Sequence, residues 1–293
     1  MNEERLTELH PHRRIKLDNE TCPYCAALLK DVSTEDHVIG KKFVPTGKFH
    51  RSWNLVLMAC SECNTQRKCA LENYISAISM QPDAWGQFAR NDNRLKSEAS
   101  RKGSSQSPLT NRPVADSSES LSIKVSPTPG VSFTFDLNGP PQIDSPKVFE
   151  LARMQLSAFF YWLSYDTTRG RGGFWPGQFV PVSFVYRPDW GNVTLVAFMN
   201  SVAEWNPRLL GIAADGFFKV AIRKQPDSTC WSWALEWNNN FRVVGFFGEE
   251  AAFSQALRSL PWPELSLVAE ESSFHLLTRT EMSLPEKEDR LFS

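Results

Sequence analysis

The second half of the chain alternates between apolar and polar residues in runs that predict a sheet flanked by helices. Residues 123–137 alternate on both sides of Pro-Thr-Pro-Gly, which predicts two strands joined by a turn. Residues 145–166 repeat apolar side chains at helical spacing, with Ser145 as the predicted cap and Pro146 in the first turn. Five more strands are predicted at 179–186, 193–199, 218–224, 230–237 and 241–248. A closing helix is predicted at 249–259.

The tryptophan-rich run at 231–237 places large apolar side chains at alternate positions, namely Trp231, Trp233, Leu235 and Trp237. Alternate residues of a strand share one face of a sheet, so this pattern favours a core face. A platform on which nucleic-acid bases stack is the less favoured interpretation.

The first 90 residues contain shorter apolar runs. Val38-Ile39 and Phe43-Val44 flank a Gly-Lys-Lys turn, and residues 54–57 form a second short run, which together predict a hairpin. Apolar residues recur at helical spacing over 61–79. The expected fold class is α+β, with a small zinc-bound unit followed by a larger α+β domain whose sheet is mainly antiparallel.

The composition changes along the chain predict four parts. Residues 1–89 hold five of the six cysteines, and 90–122 are rich in Ser, Asn, Arg and Pro, which is typical of a flexible linker. The apolar, aromatic stretch 123–270 is the expected second domain, and 271–293 is a polar tail.

Four cysteines form two C-x-x-C pairs, Cys22 with Cys25 and Cys60 with Cys63. Each pair presents two sulfurs to one tetrahedral ion, so together they predict a four-cysteine zinc site with no open position. Such an ion is structural. Cys69 and Cys230 are left over and are expected to be inert.

The formal net charge is −1, which excludes a histone-like polycation. Contact with nucleic acid would therefore need a local basic patch. The N-terminus is charged without an apolar core, and no apolar stretch is long enough for a bilayer. We therefore expect a cytoplasmic protein with no membrane partner.

A further motif lies between and around the cysteine pairs. Thr34-Glu35-Asp36-His37-Val38-Ile39 lies between the pairs, Asn54-Leu55 precedes the second pair, and Cys60-Ser61-Glu62-Cys63-Asn64 leads to Lys68. These residues resemble the HNH endonuclease family, the zinc-knuckle branch of the ββα-metal nucleases, over about residues 20–80.

The resemblance implies a role for each matching residue. His37 matches the general base that activates water, and Asp36 and Asn64 match the ligands of one catalytic divalent ion. That ion would be Mg²⁺ or Mn²⁺, with Zn²⁺ and Ni²⁺ as further candidates. Asn54 matches the residue that holds the loop of the base. One departure is Gly40, which lies where many relatives carry a proline.

Basic residues near the motif are candidates for contact with DNA phosphates. They are Lys41, Lys42, Lys48, Arg51, Arg67 and Lys68. The N-terminal sequence His-Pro-His-Arg-Arg-Ile-Lys, residues 10–16, suits equally a DNA-contacting arm or an unstructured terminus. His50 is a weaker phosphate candidate, and the Arg-Gly-Arg-Gly-Gly sequence at 169–173 suits a plain connection slightly better than a phosphate contact.

The leading hypothesis is therefore a DNA-cutting HNH endonuclease, with restriction or phage defence as roles implied by the family. The rival hypothesis is a non-catalytic zinc module that binds nucleic acid or a protein. The second domain would select the target, bind a protein partner, form a homo-oligomer, or hold the nuclease inactive until triggered. In the last case, residues 1–90 alone would cut more readily than the whole chain.

Overall fold

The computed structural model describes residues 13–29, 33–80, 92–128, 131–141, 143–264, 266–271, 274–278 and 280–293. Side chains are described outside 118–142 and 265–279. Part of the basic N-terminal sequence, including His10 and His12, lies outside the described residues. Helices and strands are both present, and the α+β prediction is confirmed.

The N-terminal part is a three-stranded sheet followed by a helix. Strand β2, Ser33–His37, pairs antiparallel with β3, Leu55–Cys60, and β1, Ile15–Lys16, pairs parallel with the other edge of β3. A wide, π-type helical segment, Glu62–Lys68, continues into α1, Cys69–Ser79. The helix predicted at 61–79 is confirmed.

Of the predicted hairpin, the strand at 54–57 is confirmed within β3, but the strand at 38–44 is wrong. Val38, Ile39, Phe43 and Val44 lie in a loop, and each is at most 1% exposed. The partner of β3 is instead the acidic-histidine segment itself, with His37 opposite Val56. These apolar residues are therefore part of a loop that packs into the core, and they do not form a strand.

A helix lies where the sequence predicts a flexible linker. Helix α2, Asn93–Gly103, begins at Asp92, whose carboxylate accepts hydrogen bonds from the backbone of Arg94 and Leu95. Leu95 and Ala99 are buried, so one apolar face sufficed to dock a polar helix. An antiparallel pair follows, β4, Ser118–Thr128, and β5, Val131–Pro141, as the alternation predicts.

The large sheet has five strands, all antiparallel, in the order β6-β10-β9-β8-β7. They are β6, Gln178–Tyr186; β7, Asn206–Ala213; β8, Phe218–Lys224; β9, Trp231–Trp237; and β10, Phe241–Gly248. Strand β7 is not among the predicted strands. A two-stranded pair, β11, Ser266–Glu271, and β12, Phe274–Thr278, comes later in the chain.

Three helices accompany this sheet. They are α3, Ser145–Leu163; α4, Val193–Val202; and α5, Glu250–Arg258. Helix α3 is capped by Asp144, one residue before the predicted cap. None of the described helices has the length and apolar character needed to cross a membrane.

Helix α4 corrects the strand predicted at 193–199. Asn192 caps it by accepting a hydrogen bond from the Leu195 backbone, and the residues buried on its inner face follow helical spacing. They include Leu195, Phe198, Met199 and Val202. The β-branched start of the segment suggested a strand, but the cap and this spacing favour a helix.

The sheet is buried on both faces. Trp233, Leu235 and Trp237 join a core that includes α3, as their alternation predicts, while Ala234 faces the core of α4 and α5. The segment predicted to be a loose tail is packed there too, since Leu291 is 1% exposed and Arg223 donates hydrogen bonds to the carbonyl oxygens of Leu291 and Ser293.

The N-terminal part and the sheet share one hydrophobic core. The Trp53 indole N–H donates to the carbonyl oxygen of Ile212 over 2.7 Å, and Phe43 packs edge-on against Trp237. Thr21 is hydrogen-bonded to Tyr161 of α3. The unit that carries the sequence motif is therefore built onto the large sheet.

Candidate zinc site and histidine loop

The four paired cysteines converge at one point. Cys22 and Cys25 lie in the turn between β1 and β2, Cys60 ends β3, and Cys63 lies at the start of the helix. All four sulfurs lie within 4.8 Å of one another. The Sγ atoms of Cys25 and Cys60 are 3.7 Å apart, close to the ~3.8 Å edge of a tetrahedron with Zn–S bonds of about 2.3 Å.

This geometry and an all-thiol donor set fit a zinc ion, so the cluster could hold one. Four protein ligands complete the coordination, and the ion would hold the helix start to the sheet without taking part in chemistry. Burial raises the pKa of the Cys22 thiol to about 11, so ion binding would release a proton from it at neutral pH.

His37 is the last residue of β2, and its side chain is half-buried. Its Nε2 atom is buried and has no hydrogen-bond partner among the described residues. Burial, and then the positive charges of Lys41 and Arg14, lower the pKa of His37. The carboxylate of Glu35 acts in the opposite direction, but the pKa is lowered overall, so the imidazole is neutral near pH 7.

Asp36 lies on the other face of the same strand, because successive side chains of a strand point to opposite sides. It is 2% exposed. Its Oδ1 atom accepts a hydrogen bond from the Lys68 ammonium over 3.0 Å, and its Oδ2 atom accepts one from the Tyr24 hydroxyl. Both carboxylate oxygens are thus already bonded inside the protein.

This arrangement does not fit a catalytic divalent ion at Asp36. Such an ion would lie beside the Lys68 ammonium, in a place where the carboxylate side chain is 3% exposed. A hard ion held by few protein ligands needs space for water, and burial removes that space.

Lys68 was predicted to contact nucleic acid, and this prediction is wrong because its side chain is 1% exposed. Its ammonium donates to the Asp36 carboxylate, to the Glu72 carboxylate over 2.9 Å and to the backbone carbonyl of His37 over 2.9 Å. Burial alone would lower the pKa of Lys68, but the charges of Glu72 and Asp36 raise it above its ordinary value.

Glu72 also explains the departure at Gly40. Its Oε1 atom accepts a hydrogen bond from the Gly40 backbone N–H over 3.0 Å. A proline has no N–H to donate there. A Cβ atom at Gly40 would lie 2.3 Å from Glu72 Oε2, so a side chain would displace this carboxylate.

The two asparagines of the motif hold backbone. The Asn54 amide accepts from the Ile39 N–H over 3.3 Å and donates to the Ile39 carbonyl over 2.8 Å. Asn64, in the helical segment after β3, donates to Thr34 Oγ1 and to the Glu35 carbonyl. Asn54 therefore holds the loop after His37, and Asn64 lies against β2.

The remaining basic candidates differ in their surroundings. Lys41, Lys42 and Arg51 are exposed. Lys48 pairs with Asp215 over 3.4 Å, and Arg67 pairs with Glu150. Lys41 and Arg14 are the cations that act on the histidine.

Two residues of this site were missed from the sequence, namely Tyr24 and Glu72. The spacing of Lys68 and Glu72 by four residues on one helix was a readable signal. Tyr24 lies inside the first cysteine pair, but nothing in the sequence marks its contact with Asp36. Comparison of the chain with protein-family models, curated proteins and solved structures gave no match.

Proposed function

We propose that this chain is an endonuclease that hydrolyses phosphodiester bonds of DNA, with His37 taking the proton from the attacking water. The observation that carries the proposal is the half-buried His37 imidazole at the end of a strand, whose Nε2 has no partner in the part of the chain that the structure describes and whose pKa is lowered beside Lys41 and Arg14. A general base needs an unprotonated nitrogen at working pH, and a phosphate needs cations.

The surroundings of His37 support this proposal. The strand-strand-helix order agrees with what the resemblance implies, and the sulfur cluster links the end of β3 to the helix start. The loop after His37 is held by Lys68, Asn54 and Glu72, which limits the motion of the base.

The test is cleavage of supercoiled plasmid by the whole, zinc-loaded chain. The assay should be run with Mg²⁺, Mn²⁺, Zn²⁺ or Ni²⁺ and without added ion. The resemblance implies a catalytic ion, but the buried Asp36 carboxylate is not placed to bind one. We expect nicked or linear DNA in at least one condition, and loss of cutting in His37→Gln. Cutting that survives this substitution would contradict the role of His37.

A second candidate is a zinc module that binds nucleic acid without cutting it. The engagement of both Asp36 oxygens by Lys68 and Tyr24 favours it, because a buried neutralised carboxylate needs no catalytic role. This candidate would be supported, and the nuclease rejected, if the wild-type chain binds DNA in a gel-shift assay but leaves the plasmid uncut with every ion tested.

A further inference from the structure

The loop that begins at His37 is held at its far end as well as at its start. Helix α2 supplies Lys102, which is 7% exposed. Its ammonium donates to the backbone carbonyl oxygens of Lys42, over 2.6 Å, and Phe43, over 3.2 Å, and to the hydroxyl of Ser76. This ammonium is thus surrounded by three oxygens from the loop and from α1.

The large sheet reaches the same carbonyl. Asn238, fully buried in the turn between β9 and β10, donates from Nδ2 to the Phe43 carbonyl over 3.2 Å and to Ser79 Oγ over 2.7 Å. Its φ is +54°, and that of Asn239 is +53°, which suits asparagine in a tight turn. The ring of Phe43 packs on Trp237, which leads into this turn.

Because Lys102 is buried, its contacts with the loop differ from those of a surface lysine that meets a neighbouring carbonyl by chance. Burial lowers the pKa of its ammonium to about 8, so placing a charge here carries a desolvation cost. Hydrogen bonds to the three oxygens offset that cost. Arg94, Lys96 and Arg101 of the same helix remain exposed, whereas Lys102 is directed into the protein.

The loop between these two ends has little freedom. His37 and Gly40 are tied by Lys68 and Glu72, and Ile39 is tied on both sides by Asn54. Gly40 and Phe43 are linked by a backbone hydrogen bond of 2.8 Å. The Lys42 and Phe43 carbonyls are therefore linked to His37 through a short segment whose backbone is held at several points.

We propose that Lys102 and Asn238 are positioning residues of the His37 site, and that helix α2 and the large sheet are working parts of the same unit. The effect of Lys102 and Asn238 on catalysis rests on the proposed function, but their effect on the loop does not. The region expected to be a linker and the region expected to be a separate domain both hold the loop that carries the candidate base. A fragment of residues 1–90 would lack both residues.

The test uses two variants of the whole chain, each with a matched control. Lys102→Met is compared with Lys96→Met on the same helix, and Asn238→Gly with Asn239→Gly in the same turn. Glycine accepts the positive φ at both positions, so the second pair isolates the lost side chain. All four must keep bound zinc and cooperative melting to enter the comparison.

Two readouts separate this inference from the proposed function. Hydrogen exchange of the amides at 38–43 should become at least about tenfold faster in Lys102→Met and Asn238→Gly, and stay unchanged in the controls. Plasmid cleavage should lose about tenfold or more in kcat with little change in KM. If the wild-type chain does not cut DNA, the proposed function fails while the exchange result still judges the positioning role.

Unchanged exchange in both variants would overturn the inference. It would also be overturned if kcat recovered fully on cooling to a temperature well below the melting transition, because the residues would then only add stability. If Lys102→Met fails to fold, the Asn238→Gly pair decides alone, since it leaves α2 unchanged.

Discussion

Two regions of the molecule bury a cation between two carboxylates, and they use it differently. In the N-terminal unit, Lys68 is 1% exposed and bonds Asp36 and Glu72. On the far face of the large sheet, Arg242 is fully buried and bonds Glu236 and Asp289. Both cations are buried, but Lys219 also pairs with Glu236 over 2.9 Å, and the Asp289 side chain is 20% exposed.

The difference lies in what else each cation contacts. Lys68 also donates to the carbonyl of His37, and its partner Glu72 accepts from the N–H of Gly40. Arg242 stacks 3.6 Å from the centre of the Trp190 ring and holds Asp289 in the C-terminal segment. The Lys68 cluster therefore holds the loop after His37, whereas the Arg242 cluster holds the C-terminal segment against the core of the large sheet.

A buried ion pair is therefore weak evidence of function by itself, as its desolvation cost can match its attraction. The backbone that it holds is more informative.

The largest expected effect follows from loss of zinc. Cys63→Ser should lose the ion and unfold the sheet of β1, β2 and β3, because structural zinc sites contribute on the order of 10 kcal/mol to folding. Zinc content and hydrogen exchange are the measurements. Amides of β2 and β3 should exchange before those of β9 and β10.

The matched control is Cys69→Ser, an exposed cysteine next to the motif. It should bind one zinc ion per chain and melt like the wild type. Full protection of β2 and β3 in the zinc-free Cys63→Ser chain would contradict the structural role of the cluster.

The next effect sets the two buried cations against each other. Lys68→Met leaves the buried carboxylates of Asp36 and Glu72 without a cation and should lower the free energy of unfolding by about 3–5 kcal/mol. Arg242→Met should cost less, because Lys219 still pairs with Glu236 and the Asp289 side chain is partly exposed. Denaturant unfolding measures this loss. Below the melting transition, only Lys68→Met should also lose DNA cleavage, because only Lys68 holds the His37 loop.

Equal loss of cleavage in folded Lys68→Met and Arg242→Met would contradict the claim that only the Lys68 cluster supports the His37 loop. Retention of cleavage in folded Lys68→Met would show that the loop does not need this ammonium.

A smaller effect is expected at Gly40. Gly40→Ala places a methyl group against the Glu72 carboxylate and should cost about 1–3 kcal/mol of unfolding free energy. Gly173→Ala is the control, because its nearest neighbour, Ser164 Oγ, lies 3.6 Å from the added Cβ. Similar melting of both variants would show that Glu72 moves aside freely.

Some of this account was predictable from the sequence, and local signals carried that part. The spacing of Cys22, Cys25, Cys60 and Cys63 predicts their cluster, and the alternation at 231–237 predicts a core face. The helix at 145–166 followed from its apolar spacing, with its cap displaced by one residue to Asp144.

The errors came from contacts between residues far apart in the chain. Lys68 resembles the exposed lysines beside it until Asp36 and Glu72 surround it. The segment 90–122 is polar in composition, yet Lys102 finds acceptors at 42 and 43. The run at 193–199 is an exception, because the Asn192 cap and the helical spacing of its apolar residues are local signals that its β-branched residues obscured.

The smallest expected effect is on DNA affinity. Replacing Lys41 and Lys42 together by Gln should weaken binding only several-fold and reduce the slope of log K against log salt by about 1–2, because each phosphate contact contributes roughly one unit. Lys287→Gln, exposed in the C-terminal segment, is the control. An unchanged salt slope would place the DNA elsewhere on the surface.

The most direct test of the central claim compares two histidines of the same region. His37→Gln and His50→Gln should be assayed for plasmid cleavage at saturating DNA, with binding and zinc content measured on the same preparations. We predict that His37→Gln binds DNA and zinc normally but loses cleavage by at least about a hundredfold, as expected for a general base, while His50→Gln cuts like the wild type. Equal cleavage by both variants would contradict the account.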